Sequence, residues 1–123
     1  MAELIVGIGL QPGARAEDIL AAVAETFGDT TFEAFATVDV RGNDIGLRYA
    51  ANALGVRIDT FTAVELAAVD VPHPGAAAKE HLGTPSVAEA AAILASGGAP
   101  LVQQKTVANG IVLAAARVQD PVP

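Results

Sequence analysis

The run Leu4-Ile5-Val6-Gly7-Ile8-Gly9 contains no polar residue and no alternation. A strand of that kind is apolar on both faces, as central strands of parallel sheets are, and an edge strand with one wet face is not. The chain must therefore supply cover for two faces. Gln11-Pro12-Gly13 turns it, and Ile19, Leu20, Val23 and Phe27 then follow helical spacing from Ala16 to Phe27, with Glu17 and Asp18 in the first turn and Gly28 as the stop. A second strand is predicted over Phe32 to Val40. Gly42-Asn43-Asp44 opens a second helix carrying Ile45, Leu47, Ala50, Ala51 and Leu54, which ends at Gly55. Val56 to Phe61 reads as a third strand. Thr62-Ala63-Val64-Glu65 has the form of a capping box for a short helix reaching about Ala68. The order β-α-β-α-β favours a right-handed parallel sheet with helices on its faces.

The second half changes character. Val71-Pro72-His73-Pro74-Gly75 reads as a surface loop and Ala76 to His81 as a weak helix. Ser86-Val87-Ala88-Glu89 is a second capping box, opening an alanine-rich helix that ends at Gly97-Gly98. Leu101 to Ala108 and Ile111 to Val118 are β-like runs separated by Asn109-Gly110, the pairing that favours a type I′ hairpin. The expected architecture is a three-layer α/β/α domain, with a mixed, mostly parallel sheet of about five strands and a C-terminal β-hairpin. It spans residues 1–118, followed by a flexible tail at 119–123. Of the 123 residues 52% are hydrophobic but only 4% aromatic, so the core is built from small side chains and its backbones must approach closely.

Charge and composition remove several classes of function. The net charge of −7, with seven scattered Lys and Arg, is the wrong sign for a phosphate backbone, so no nucleic-acid partner is expected. No cysteine means no disulfide, thiolate metal site or cysteine nucleophile. Met1-Ala2-Glu3 carries no basic run, and no apolar stretch approaches the roughly 18–20 residues of a membrane span. A cytoplasmic domain without a membrane partner is the expectation. His73 and His81 stand eight positions apart near Asp70, but nothing fixes their mutual geometry and prolines flank His73. No metal site and no cofactor are expected, and Ser86 lacks the histidine pattern of a nucleophile.

The remaining candidates each have a structural and a functional reading. Gly7, Gly9 and Gly13 form a strand-to-helix turn that either simply turns or presents backbone N–H groups to an anion. The turn lacks both the dinucleotide and the Walker spacing. Asp39 and Arg41 lie at a strand-to-helix junction, where ligands of open α/β sheets gather, and they serve either a ligand or an ion pair. Asp44 serves either first-turn capping chemistry, the expected role, or catalysis. Glu89 is either the second half of its capping box or a general acid in an apolar helix. Alternation puts Lys105 on the face of Leu101 and Gln103, either guarding an edge strand or facing a polar cleft.

Taken in order, these segments resemble the CobE/CbiG carboxy-terminal family of cobalamin biosynthesis, from Ile5 to about Arg117. The resemblance runs through Val6-Gly7-Ile8-Gly9, Asp39-Val40-Arg41, Asp44-Ile45-Gly46-Leu47 and a strand bearing Lys105. It ends on Ala114-Ala115-Ala116-Arg117, and its most specific stretch is Gly83-Thr84-Pro85-Ser86-Val87-Ala88-Glu89-Ala90-Ala91-Ala92. The chain departs from the family at Leu10, where a cysteine is usual, at Arg41, where lysine is usual, and at Val112 in place of threonine. The resemblance implies the stand-alone CobE-like form, acting in construction of the corrin ring by binding a precorrin or other tetrapyrrole intermediate. Its carboxylates would meet Arg15, Arg41 and Lys105, with backbone donors from Gly7 to Gly13. Two other classes stay open. One is a hydrolase acting on the ring-contraction lactone, with Asp39, Asp44 or Glu89 as acid or base. The other is a scaffold handing intermediates to other corrin-pathway enzymes. A homo-oligomer is compatible with all three.

Overall fold

A computed structural model describes residues 4–69 and 87–118. Five strands form one sheet in the order β3-β2-β1-β5-β4. They are β1 (Leu4–Gly9), β2 (Ala34–Val38), β3 (Arg57–Phe61), β4 (Leu101–Ala108) and β5 (Ile111–Arg117). β1, β2 and β3 are mutually parallel, whereas β5 runs antiparallel to β1 and to β4. Helices α1 (Ala16–Phe27), α2 (Ile45–Leu54), α3 (Ala63–Ala67) and α4 (Val87–Ala95) cover the sheet. The expected mixed α/β sheet with a closing hairpin is the observed one. Asn109 and Gly110 take φ of 52° and 77°, the paired positive values a two-residue I′ connection demands.

β1 fulfils the requirement set by its sequence. Leu4, Val6 and Ile8 enter one core with Ile19 and Val23 of α1 and Leu47 and Ala50 of α2. Ile5 enters another with Ala34, Ala36 and Val38 of β2, Leu66 of α3 and Ala90 and Ala91 of α4. Each face of the sheet thus has its own apolar layer, which is why the run needs no polar residue. Close approach is most pronounced beneath α4. A Cβ on Gly7 would lie 1.8 Å from the Ala88 carbonyl oxygen and 2.9 Å from the Ala92 backbone nitrogen. The helix backbone therefore rests directly on β1, and Ala88, Ala90, Ala91 and Ala92, all buried, keep it there.

Two sequence expectations need correction. The second strand is shorter than Phe32 to Val40, because Asp39–Arg41 winds into a single 3₁₀ turn closed by the Gly42 N–H donating to the Asp39 carbonyl at 3.1 Å. Val40 accordingly points outward and is 65% exposed. β4 does not alternate regularly either. Its pairing with β5 passes from Leu101↔Ala116 to Gln103↔Ala115 and then to Thr106↔Leu113, so β4 holds two residues more than the segment it faces. Each bulge changes the phase of the side chains. Leu101 and Gln103 share a half-buried face with Thr106 and Ala108, while Lys105 is exposed. The predicted helix over Ala76 to His81, together with Asp70, His73 and Ser86, lies outside the described residues.

Specific polar contacts fasten these layers. The box at Thr62 is complete, with the Glu65 N–H donating to Thr62 Oγ1 at 3.1 Å and the Thr62 N–H to Glu65 Oε1 at 2.8 Å. On the β3 edge Arg57 donates to Asp59 and Glu33, and these hydrogen bonds, Asp59 first, raise its guanidinium pKa above the ordinary arginine value. Thr37, fully buried in β2, donates its hydroxyl to the Ile8 carbonyl of β1 at 2.8 Å. Thr37→Val keeps the shape and deletes that bond. It is expected to cost about 1 kcal/mol, read as a lower urea midpoint with an unchanged slope; an unchanged midpoint would mean the bond contributes nothing net.

Candidate functional site

The loops that leave the carboxyl ends of β1 and β2 run side by side. Open α/β sheets place their ligands at this end, because the turns there lie beyond the hydrogen-bonded ladder and helices begin in them. The loop 10–15 leads to α1 and the loop 39–44 to α2. They are held together by close backbone contact, since a Cβ on Gly46 would fall 2.0 Å from the Ala14 carbonyl oxygen. Arg15 and Asp44 occupy the N-cap positions of α1 and α2, and neither helix start has a side-chain cap.

Two open clefts flank this junction and share Asn43. The larger, about 620 Å³, is lined by Gly13, Arg15, Glu17, Asp44, Ile45 and Tyr49 among others. Ile45 and Tyr49, one turn apart on α2, are 73% and 67% exposed and form an apolar rim. The smaller, about 490 Å³, is lined by Asp39, Gly42, Asn43, Arg48, Ile58 and Thr60. Both volumes fall in the range of small-molecule sites.

The predicted site residues separate into groups. Gly13, Arg15, Asp39 and Asp44 line the two clefts. Asp44 does not cap α2 as expected of it; its carboxylate instead takes the Arg41 guanidinium at 3.0 Å, in a pair only about one-fifth exposed. Arg15 is paired with the exposed Glu17. Gly7 lies under α4, and Gly9 would tolerate a Cβ, which would meet Val112 at an ordinary 3.6 Å. Lys105 is apart from the rest: three interstrand steps, about 14 Å, separate its strand from β2, which leads into Arg41.

Glu89 is fully buried, and its Oε2 accepts the Lys105 backbone N–H at 3.0 Å. The bulged edge strand is thereby anchored to α4. Ser86, its expected partner in a capping box, is outside the described residues. Among the described residues no cluster of three His, Asp or Glu side chains is placed to hold a metal ion, and no helix is long and apolar enough to cross a membrane. Sequence reasoning passed over Arg48, Asn43, Thr60 and Tyr49. Arg48 and Tyr49 sit on the exposed side of an amphipathic helix, where nothing local distinguishes a ligand contact from a solvated surface.

Comparison with known proteins bears on the fold and the family. The crystal structure of CobE, a protein from the cobalamin (vitamin B12) biosynthetic pathway, superposes with a TM-score of 0.81 at 30% identity, covering 94% of this chain and 90% of that one. Cobalamin biosynthesis protein chiG from Agrobacterium tumefaciens str. C58 gives a TM-score of 0.71 at 31% identity, covering 95% and 99%. A cobalamin biosynthesis protein G homologue from Sulfolobus solfataricus shares the fold at 18% identity and a TM-score of 0.71, and there the match covers 96% of this chain but 37% of that one. No curated protein sequence matches. Residues 4–116, which hold the whole sheet apart from the last residue of β5, match the family described as cobalamin synthesis G C-terminus, and the chain belongs to that cobalamin biosynthesis family.

Proposed function

We propose that this domain binds a tetrapyrrole intermediate of corrin biosynthesis at the carboxyl ends of β1 and β2. The observation that carries the reading is the larger cleft. It combines the exposed apolar pair Ile45 and Tyr49 with two helix starts that no side chain caps. A precorrin has the matching chemistry, a broad apolar ring system with acetate and propionate groups at its rim. Ring faces suit Ile45 and Tyr49, and carboxylates suit N–H groups at helix starts. Family membership supplies the pathway in which such a ligand occurs.

A panel of precorrins and corrinoids, mixed with the purified protein and passed over gel filtration, tests the reading by absorbance of the protein peak. Pigment should co-elute in stoichiometric amount with its mass unchanged, and chelator treatment should not release it. Absence of pigment across the panel would overturn the proposal. Recovery of a hydrolysed pigment would favour the hydrolase class, with Asp39 the first carboxylate to substitute because it lines an open cleft. Retention of a pathway enzyme without pigment would favour the scaffold.

A further inference from the structure

We infer that Arg48, with Asn43 and Thr60, forms a second carboxylate subsite of this domain, beside the helix starts of the larger cleft, and that Asp39 on the same cleft limits what that subsite accepts. Arg41 is paired with Asp44 in a largely buried contact, Arg15 with Glu17, and Arg57 with Asp59 and Glu33. Arg48, Lys105 and Arg117 have no carboxylate partner among the described residues. Position separates these three. Lys105 belongs to the far edge strand, and Arg117 pairs with Leu4 at the amino end of β1, the opposite end of the sheet from the clefts. Of the three, Arg48 is the one on the lining of the two clefts described above, one turn into α2, where its backbone N–H donates to the Asp44 carbonyl at 3.0 Å.

The neighbours of Arg48 suit a carboxylate of limited size. Asn43 and Thr60 add an amide and a hydroxyl donor, and a guanidinium can take a carboxylate with two parallel hydrogen bonds. The cleft is narrowed from one side by close packing, since a Cβ on Gly42 would meet the Thr60 methyl at 2.5 Å. Among the described residues Asp39 is the only anion on the lining. It repels a bare carboxylate and accepts from an amide or hydroxyl, so it disfavours fully ionised ligands relative to ones with a donor next to the acid.

The inference rests on the tetrapyrrole reading above, and its test uses two corrins that differ in charge. Cobyrinic acid carries free side-chain carboxylates, and in cobinamide these are amides. Affinities of both are measured by absorbance titration for the unsubstituted protein, Arg48→Gln, Asp39→Asn and the distant control Arg117→Gln, each first shown to melt normally. Arg48→Gln is expected to weaken cobyrinic acid about tenfold and to leave cobinamide unchanged, with the loss shrinking as salt is added. Asp39→Asn should tighten cobyrinic acid, and Arg117→Gln should match the unsubstituted protein. If cobyrinic acid binds and Arg48→Gln behaves like Arg117→Gln, or weakens both corrins equally, the subsite is overturned while tetrapyrrole binding stands. If neither corrin binds the unsubstituted protein, the subsite is overturned, while tetrapyrrole binding falls only if the precorrin panel also leaves no pigment on the protein.

Discussion

Gly7→Ala is expected to lower stability by about 3 kcal/mol, the upper end of what forcing atoms into a packed interior costs. For a domain of this size that is a fall of roughly 10–15 °C in Tm. The added methyl group would stand 1.8 Å from the Ala88 carbonyl oxygen. That atom is backbone, so no rotamer change relieves the clash and α4 must move bodily off β1. Gly9→Ala is the matched control, because its methyl group meets the Val112 side chain at 3.6 Å, an ordinary contact. Calorimetry of the two variants reads the difference directly. A Gly7→Ala protein melting within roughly 2 °C of its parent would mean that α4 does not rest on the sheet as described.

Glu89 carries the second large effect. Glu89→Ala is expected to cost about 2–4 kcal/mol, because it leaves the Lys105 N–H without its acceptor and empties space inside a packed layer. Glu89→Gln keeps an oxygen of the same reach and should lose less than half as much. The two outcomes differ locally as well as globally: in the alanine variant the Lys105 amide should exchange with solvent faster, while amides of β1 and β2 fall only with global stability. Equal melting of the alanine and glutamine variants would exclude the hydrogen bond as the source of the effect. Loss of pigment binding in the glutamine variant at unchanged Tm would instead give Glu89 a place in the site.

What the sequence discloses here depends on how far apart the interacting residues are. β1, the Thr62 box and the Asn109-Gly110 connection are local patterns, and each is written within a few consecutive residues. The bulges in β4 are not, because alternation records which face a residue prefers and is silent on how many residues oppose it across the ladder. Gly7 shows the same limit. A glycine between strand and helix is compatible with an anion or with a crossing helix, and the choice is made by Ala88, far along the chain. Arg41 and Asp44 were visible as a charged junction, yet their mutual pairing depends on the 3₁₀ turn that shortens β2. Removing that pair from the available cations is what brings Arg48 forward, a residue with no distinguishing local pattern.

The backbone contact between Gly46 and Ala14 also bears on how fast a ligand can be taken up. It ties the first turn of α2 to the loop before α1, so neither side of the junction can open without carrying the other. A ligand bound as proposed would meet a rim that this contact helps to preform, which favours association paced by diffusional encounter. Encounter itself is opposed at long range, since a protein of net charge −7 repels an anionic ligand before any single cation can attract it. Moderate salt would therefore speed arrival while weakening the contacts made on arrival, and the two halves of the affinity would respond to ionic strength with opposite sign.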